Sequence, residues 1–205
     1  MSREIVRVAV ESQVAQAAAI LGRAFQNDPL MVYTIPDAAE RARLLPEFYF
    51  RMLRFGVLAG EVYTTGSPME AAALWLPPGV QWTRERVQAA GLHELSSVIG
   101  ADAIARFREV VGHEAQARER DMTEPYWYLL LLGVEPALQG RGLGGELIAP
   151  MIQRAYREGA PCYVETEQPR NVAFYRRHGF ELIIDGQAAG TTGVRFWTFR
   201  QPPKQ

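Results

Sequence analysis

One stretch limits the possible folds of this chain more than any other. Near-continuous apolar sequence from Tyr126 to Val134 leads, within a few residues, into Gln139-Gly140-Arg141-Gly142-Leu143-Gly144-Gly145. Such an apolar run predicts a strand covered on both faces. From 141 to 158, Leu143, Leu147, Ile148, Met151, Ile152 and Ala155 recur at helical spacing. Pro150 falls inside that helix and is expected to kink it, because it removes one backbone hydrogen bond. A strand that feeds a glycine-rich helix start aims several unpaired N–H groups at one point, and the helix dipole adds positive potential there. That point suits a diphosphate.

The rest of the chain predicts a mixed α/β order. Ile5, Val6, Val8 and Val10 suggest an opening strand, and 11–26 a helix with Val14, Ala17, Ala18, Leu21 and Phe25 on one face. Pro29 ends that helix by disfavouring helical backbone at Asp28. A second helix fits 38–57, followed by strands at Val62–Thr65 and Ala71–Leu76 around the Gly66-Ser67-Pro68 turn. Residues 80–120 read as a helical insertion between two strands, with Ile99, Ala103, Ile104, Phe107, Val110 and Val111 on one stripe. Cys162–Glu165 is the next strand and 171–178 a short helix closed by Gly179. Glu181–Ile184 and Val194–Phe199 form a final strand pair, and the tail 201–205 is expected to fray.

Composition narrows the function classes. At 205 residues and 48% hydrophobic, the chain fits one domain spanning 1–205, of the soluble type. A net charge of −1 gives no field for nucleic acid or an acidic membrane surface, so neither partner is expected. The single cysteine, Cys162, excludes an intrachain disulfide. With no signal-like start and no apolar run near the ~20 residues of a membrane span, the expected location is the cytoplasm. His93, His113 and His178 lack metal-ligand spacing, and no metal is expected.

Two readings compete for the glycines. Gly140, Gly142 and Gly145 match G-x-G-x-x-G, with Glu165 placed 20 residues on, as in dinucleotide-binding folds. Against this, Glu135 to Gln139 intervene where the first glycine should follow the strand directly, and no second mononucleotide half follows. A P-loop is excluded because no Gly-Lys-Ser/Thr is present. The alternative spacing is Gln139-x-x-Gly142-x-Gly144 after Val134-x-Pro136, with Asn171-x-x-Phe174-Tyr175-x-x-x-Gly179-Phe180 about thirty residues later. These two blocks resemble the acyl-CoA motif and following helix of the GCN5-related N-acetyltransferases, the GNAT superfamily. Pro150 and the run Pro161 to Thr166 resemble a bacterial branch distantly similar to puromycin N-acetyltransferases.

The resemblance implies a mostly antiparallel mixed sheet flanked by helices and an acetyl transfer from acetyl-CoA to a primary amine, with a homodimer compatible. A small-molecule acceptor is expected, with a protein amine and a non-catalytic CoA sensor as alternatives. It further implies that the N–H groups of Gln139, Gly140, Arg141, Gly142, Leu143, Gly144 and Gly145 hold the pyrophosphate. A Cβ at Gly142 or Gly144 is expected to hold the phosphate off. The pantetheine arm would run beside Leu132, Gly133 and Val134, with Asn171 on its other side. Tyr175 takes the family's general-acid position, protonating the leaving sulfur. Glu165 is the first candidate base for the amine, with Glu135 and Glu167 behind it. Asp28, Tyr33, Trp75, Trp127 and Tyr128 are candidates to line the acceptor pocket.

Overall fold

A computed structural model describes residues 4–8 and 10–203; Met1–Arg3, Ala9 and Lys204–Gln205, including the end of the tail, lie outside the described residues. Seven strands form one sheet in the order β1-β2-β3-β4-β5-β7-β6. They are β1 Ile5–Arg7, β2 Glu61–Thr65, β3 Ala71–Leu76, β4 Trp127–Val134, β5 Cys162–Thr166, β6 Glu181–Ala188 and β7 Arg195–Gln201. Every neighbouring pair is antiparallel except β4 and β5. The parallel pair needs a crossover, and helix α7, Leu143–Glu158, provides it. The expected mixed, mostly antiparallel sheet flanked by helices is the architecture found. Among the described residues the sheet has one parallel pair and no second mononucleotide half.

Helix α1 (Glu11–Ala24) and helix α3 (Ala38–Ala59) cover one face of the sheet, α7 the other. The apolar stripe of α1 packs on α3, where a Cβ on Gly22 would sit 3.0 Å from the Pro46 ring. Gly133 of β4 has the same role under α1: a Cβ there would lie 2.6 Å from Leu21. All six residues predicted to face inward on α7 are buried, and the helix runs on through Pro150, which is exposed.

The sequence reading missed a helix. Asp28-Pro29 does end α1, but it also opens α2, Pro29–Thr34. Asp28 Oδ1 accepts from Leu30 N at 3.0 Å, and proline at the first helical position has no N–H to leave unsatisfied. The tail also differs from expectation at its start. Gln201 belongs to β7, is buried, and donates from Nε2 to His178 O at 2.7 Å.

The insertion between β3 and β4 is helical as expected. It contains α4 (Arg84–Ala89), a 3-10 turn at Leu92–Glu94, α5 (Leu95–Ile99) and the long α6 (Ala101–Asp121). The last helix, α8, spans Asn171–Arg177. Among the described residues no helix is long and apolar enough to cross a membrane.

Candidate functional site

Strand β4 carries a bulge. Leu74 of β3 pairs with Leu131 while the next residue, Trp75, pairs with Leu129, so Leu130 is the extra residue. The bulge switches faces: Trp127 and Leu129 join the α7-side core, and Leu131 the α1/α3 side. Pairing with β5 stops at the same place, the last partners being Leu129 and Val164. Beyond it β5 stays with β7, through Glu165↔Thr198 and Thr166↔Trp197. Leu130 to Val134 therefore have β3 on one side and a free edge on the other. An extended ligand can add to such an edge as a strand would.

The free edge leads to the glycine turn. A 3-10 turn at Pro136–Leu138 precedes it, and Gly140 and Gly142 adopt φ of +77° and +87°. Among the described residues, no N–H from Gly140 to Gly145 donates to a backbone carbonyl, and α7 has no side-chain cap. A Cβ built on Gly140 or Gly142 would meet nothing within 4 Å. The turn is thus a row of free donors at a helix N-terminus, exposed at Gly140, Arg141 and Gly142, which fits a diphosphate.

Gly144 acts differently from expectation, and Gly145 beside it packs in the same direction. A Cβ on Gly144 would point at Phe174, 3.4 Å away, and one on Gly145 would overlap His178. Their side-chain directions face α8, so the lack of a Cβ permits α7–α8 packing and leaves only their N–H groups at the turn. Gln139 is exposed and donates from Nε2 to Val134 O at 3.1 Å, at the end of the free edge. Arg141 is exposed, and Leu143 is buried beneath the turn.

Across the fork, Asn171 donates to Thr166 Oγ1 at 2.9 Å and so ties α8 to the end of β5. Tyr175 is buried, its ring edge-on to Phe174 and Phe180 and tilted against Phe199. Burial pushes its phenol up, and the carboxylates of Glu167 and Asp28 add to the shift. Glu165 is held in place: Arg118 of α6 pairs with it at 2.8 and 3.0 Å, and the Tyr128 hydroxyl donates to it. Burial raises its carboxyl to about 7, although Arg118 and Tyr128 pull the other way. Burial also raises the Tyr128 phenol well above its ordinary value.

Around these groups stands a set of acids that the sequence reading did not bring together. Asp28 and Glu114 are each only 5% exposed, and both are pushed well above the carboxylate range by burial and then by Glu167. Glu167 acts electrostatically on Tyr175, Tyr49, Asp28, Glu114 and Glu165 alike. It also lines a cleft of about 500 Å³ with Pro29, Val32, Tyr33 and Val194.

Of the other candidates, Tyr33 lines this cleft and donates to Glu109 Oε2 at 3.0 Å. Trp75 does not line it: the ring is fully enclosed in the α7-side core. Trp127 is buried in the same core and donates from Nε1 to Glu158 at 2.7 Å. Glu135 is engaged by Arg23 at 2.8 Å. Arg118, Glu114 and Tyr49 were missed. One signal did exist, because Glu114 falls on the apolar stripe of α6 that includes Ala103, Ile104, Val110 and Ala117.

A strand that parts from its neighbour and runs to a row of free N–H groups offers a shape and a charge suited to a ligand with an extended arm and an anionic end. The sequence model of the acetyltransferase (GNAT) family matches residues 72–180, more than half of the chain, and the chain belongs to that family. An uncharacterized N-acetyltransferase of Schizosaccharomyces pombe is 28% identical over 176 residues, 80% of this chain and 69% of the relative. Among solved structures, a histone acetyltransferase HPA2 and related acetyltransferase from Corynebacterium glutamicum superposes with a TM-score of 0.72 at 22% identity, covering 100% of this chain and 98% of the other. A polyamine N-acetyltransferase from Drosophila melanogaster gives a TM-score of 0.59 at 18% identity, over 97% of this chain and 100% of that one.

Proposed function

We propose that this chain transfers an acetyl group from acetyl-CoA to a primary amine of a small molecule. The observation that carries the reading is the fork: the free edge of Leu130–Val134 ends at the free N–H groups of Gly140–Gly145. When bound, acetyl-CoA supplies an acetyl thioester activated for attack. The N–H groups of Gly140 to Gly145 hold its diphosphate, and the backbone of Leu132 to Val134 pairs with its arm. A backbone N–H at the end of this edge, near Val134, stabilises negative charge that develops on the carbonyl oxygen during attack.

Tyr175 keeps its proton at neutral pH, because burial and the nearby acids both oppose its ionisation. It is therefore a donor toward the leaving sulfur. A thiol's ordinary pKa, ~8.5, lies below that of this buried phenol, so Tyr175 acts chiefly by hydrogen bonding to the developing thiolate. The amine attacks as the neutral base after giving one proton to Glu165. At about 7, Glu165 is matched to accept it near neutrality, directly or through a water. A second proton, shed from the nitrogen as the amide forms, goes to the leaving thiolate.

The test is thiol release from acetyl-CoA, followed across a library of amines. Tyr175→Phe is expected to lower turnover by roughly 10²-fold or more while leaving CoA affinity unchanged. Equal turnover in that variant across the pH range would remove the role given to Tyr175. Failure of the wild-type protein to bind CoA in calorimetry would sink the whole reading.

A further inference from the structure

The carboxylate of Glu165 is hard to reach directly. Its side chain is 5% exposed, and both oxygens are engaged. Oε1 accepts from Arg118 Nη1 at 2.8 Å, and Oε2 accepts from the same nitrogen at 3.0 Å and from the Tyr128 hydroxyl. Charged and titratable groups face it from each neighbouring element. Helix α6 supplies Arg118 and Glu114, the chain entering β4 supplies Tyr126 and Tyr128, and β5 and its end supply Tyr163 and Glu167. Among the described residues, only Tyr128 joins Glu165 by donating a hydroxyl proton.

Tyr128 stands where a ligand's proton would enter. It is half-buried, and it precedes Leu129, the last residue of β4 paired with β5, so it lies at the mouth of the fork. A hydroxyl offers one O–H and two acceptor lone pairs. The O–H goes to Glu165, and one lone pair accepts from Arg118 Nη1 at 3.2 Å. The second lone pair accepts nothing among the described residues, which leaves it for the N–H of a ligand. The Arg118 guanidinium also lies 4.6 Å over the Tyr128 ring, so it holds both the ring and the direction of its O–H.

Resting on the acetyl-transfer reading above, with Glu165 as its base, we propose that the Tyr128 hydroxyl carries the proton from the acceptor ammonium to Glu165, in place of a water. One N–H bond of the ammonium breaks as an O–H bond forms on the Tyr128 oxygen. The O–H that Tyr128 already holds breaks as one forms on Glu165 Oε2. The ammonium becomes a neutral amine and the carboxylate a neutral acid, so charge balances. Both protons move together, and no phenolate forms, which burial would oppose. Arg118 is the positioning residue of this step. After the product leaves, the same two transfers in reverse return the proton to solvent water.

The experiment is run at pH 8.5, where Glu165, at about 7, is ionised. Ethylamine and butylamine are ammonium ions there, whereas trifluoroethylamine and heptafluorobutylamine are neutral and have no first proton to lose. The kcat/KM of each fluorinated amine is divided by that of its parent in the wild type, Tyr128→Phe and Glu165→Gln. Both variants are expected to raise this ratio by about tenfold or more over the wild type, since a positioned proton-transfer group contributes roughly 10²–10⁴-fold. A purely structural role for Tyr128 lowers all four amines in proportion and leaves the ratio where it was. An unchanged ratio in Tyr128→Phe, or loss of turnover with all four amines, therefore overturns the inference. If the ratio still rises in Glu165→Gln, the proton reaches Glu165 without Tyr128 and the base assignment stands. If the wild type binds CoA in calorimetry but acetylates none of the four, the inference falls with the small ammonium acceptor it needs. If CoA does not bind, the acetyl-transfer reading falls as well.

Discussion

Replacing Gly142 tests the cofactor cradle most directly. The residue sits at φ +87° as the N-cap of α7, with open space where a Cβ would go. A substitution therefore meets no clash, only the left-handed backbone, which costs roughly 1–2 kcal/mol for an ordinary residue and more for a β-branched one. In Gly142→Val the turn relaxes out of that conformation, and the N–H groups from Gly140 onward no longer converge. Each hydrogen bond to a charged phosphate oxygen contributes about 1.5–3 kcal/mol, so losing two weakens CoA binding by roughly 10²–10⁴-fold. A matched control lies at the other end of the same helix. Gly159 has φ +66°, caps the C-terminus of α7, and also has nothing within 4 Å of a built Cβ. Gly159→Val carries the same kind of strain far from the cradle. Both variants are expected to lose similar stability in urea titrations, within the roughly 5–15 kcal/mol total of a typical domain. Only Gly142→Val is expected to lose CoA affinity in calorimetry. Wild-type affinity in Gly142→Val, or an equal loss in Gly159→Val, would refute the assignment.

Three further expectations concern stability. The Glu165 carboxyl is raised from 4.5 to about 7, so its contribution is fully present below pH 4.5 and is lost as pH rises through 7. Asp28 and Glu114 shift in the same direction, so the unfolding free energy from urea titrations is expected to fall between pH 5 and 8, by about 2–3 kcal/mol from Glu165 alone. A flat profile over that range would contradict the burial argument. Arg118→Met removes the partner of a carboxylate that is 5% exposed, but Glu165 can escape by taking a proton. The variant's stability deficit is therefore expected to widen from pH 5.5 to pH 8, and a constant deficit would mean that Arg118 acts through packing alone. Gly133→Ala drives a Cβ toward Leu21 and Ala24, with a cost of about 1–3 kcal/mol in urea titrations, and a neutral result would show that α1 shifts freely over β4.

The sequence by itself determined the elements whose causes are local. Apolar spacing located α1, α3, α6 and α7, because a helix buries whatever recurs every three to four residues. The glycines marked the turn after β4, because positive φ at Gly140 and Gly142 suits no other residue as well. The short helix that carries Asn171 and Tyr175 was legible from one block of sequence closed by Gly179. Where local rules gave two outcomes the sequence did not decide: Asp28-Pro29 ended one helix and began another, and Trp75 was legible as an aromatic but not as one enclosed under α7.

Only the tertiary structure decided where β4 and β5 part. The bulge at Leu130 depends on how β3 and β5 hold their own registers, which no residue of β4 specifies alone. The acid cluster is likewise a product of packing. Asp28 comes from the α1–α2 junction, Glu114 from the insertion, and Glu165 and Glu167, two residues apart, from the end of β5, so local period relates only the last two. The raised proton affinities of Asp28, Glu114 and Glu165 arise from shared burial, a property of the assembled interior that sequence spacing does not encode.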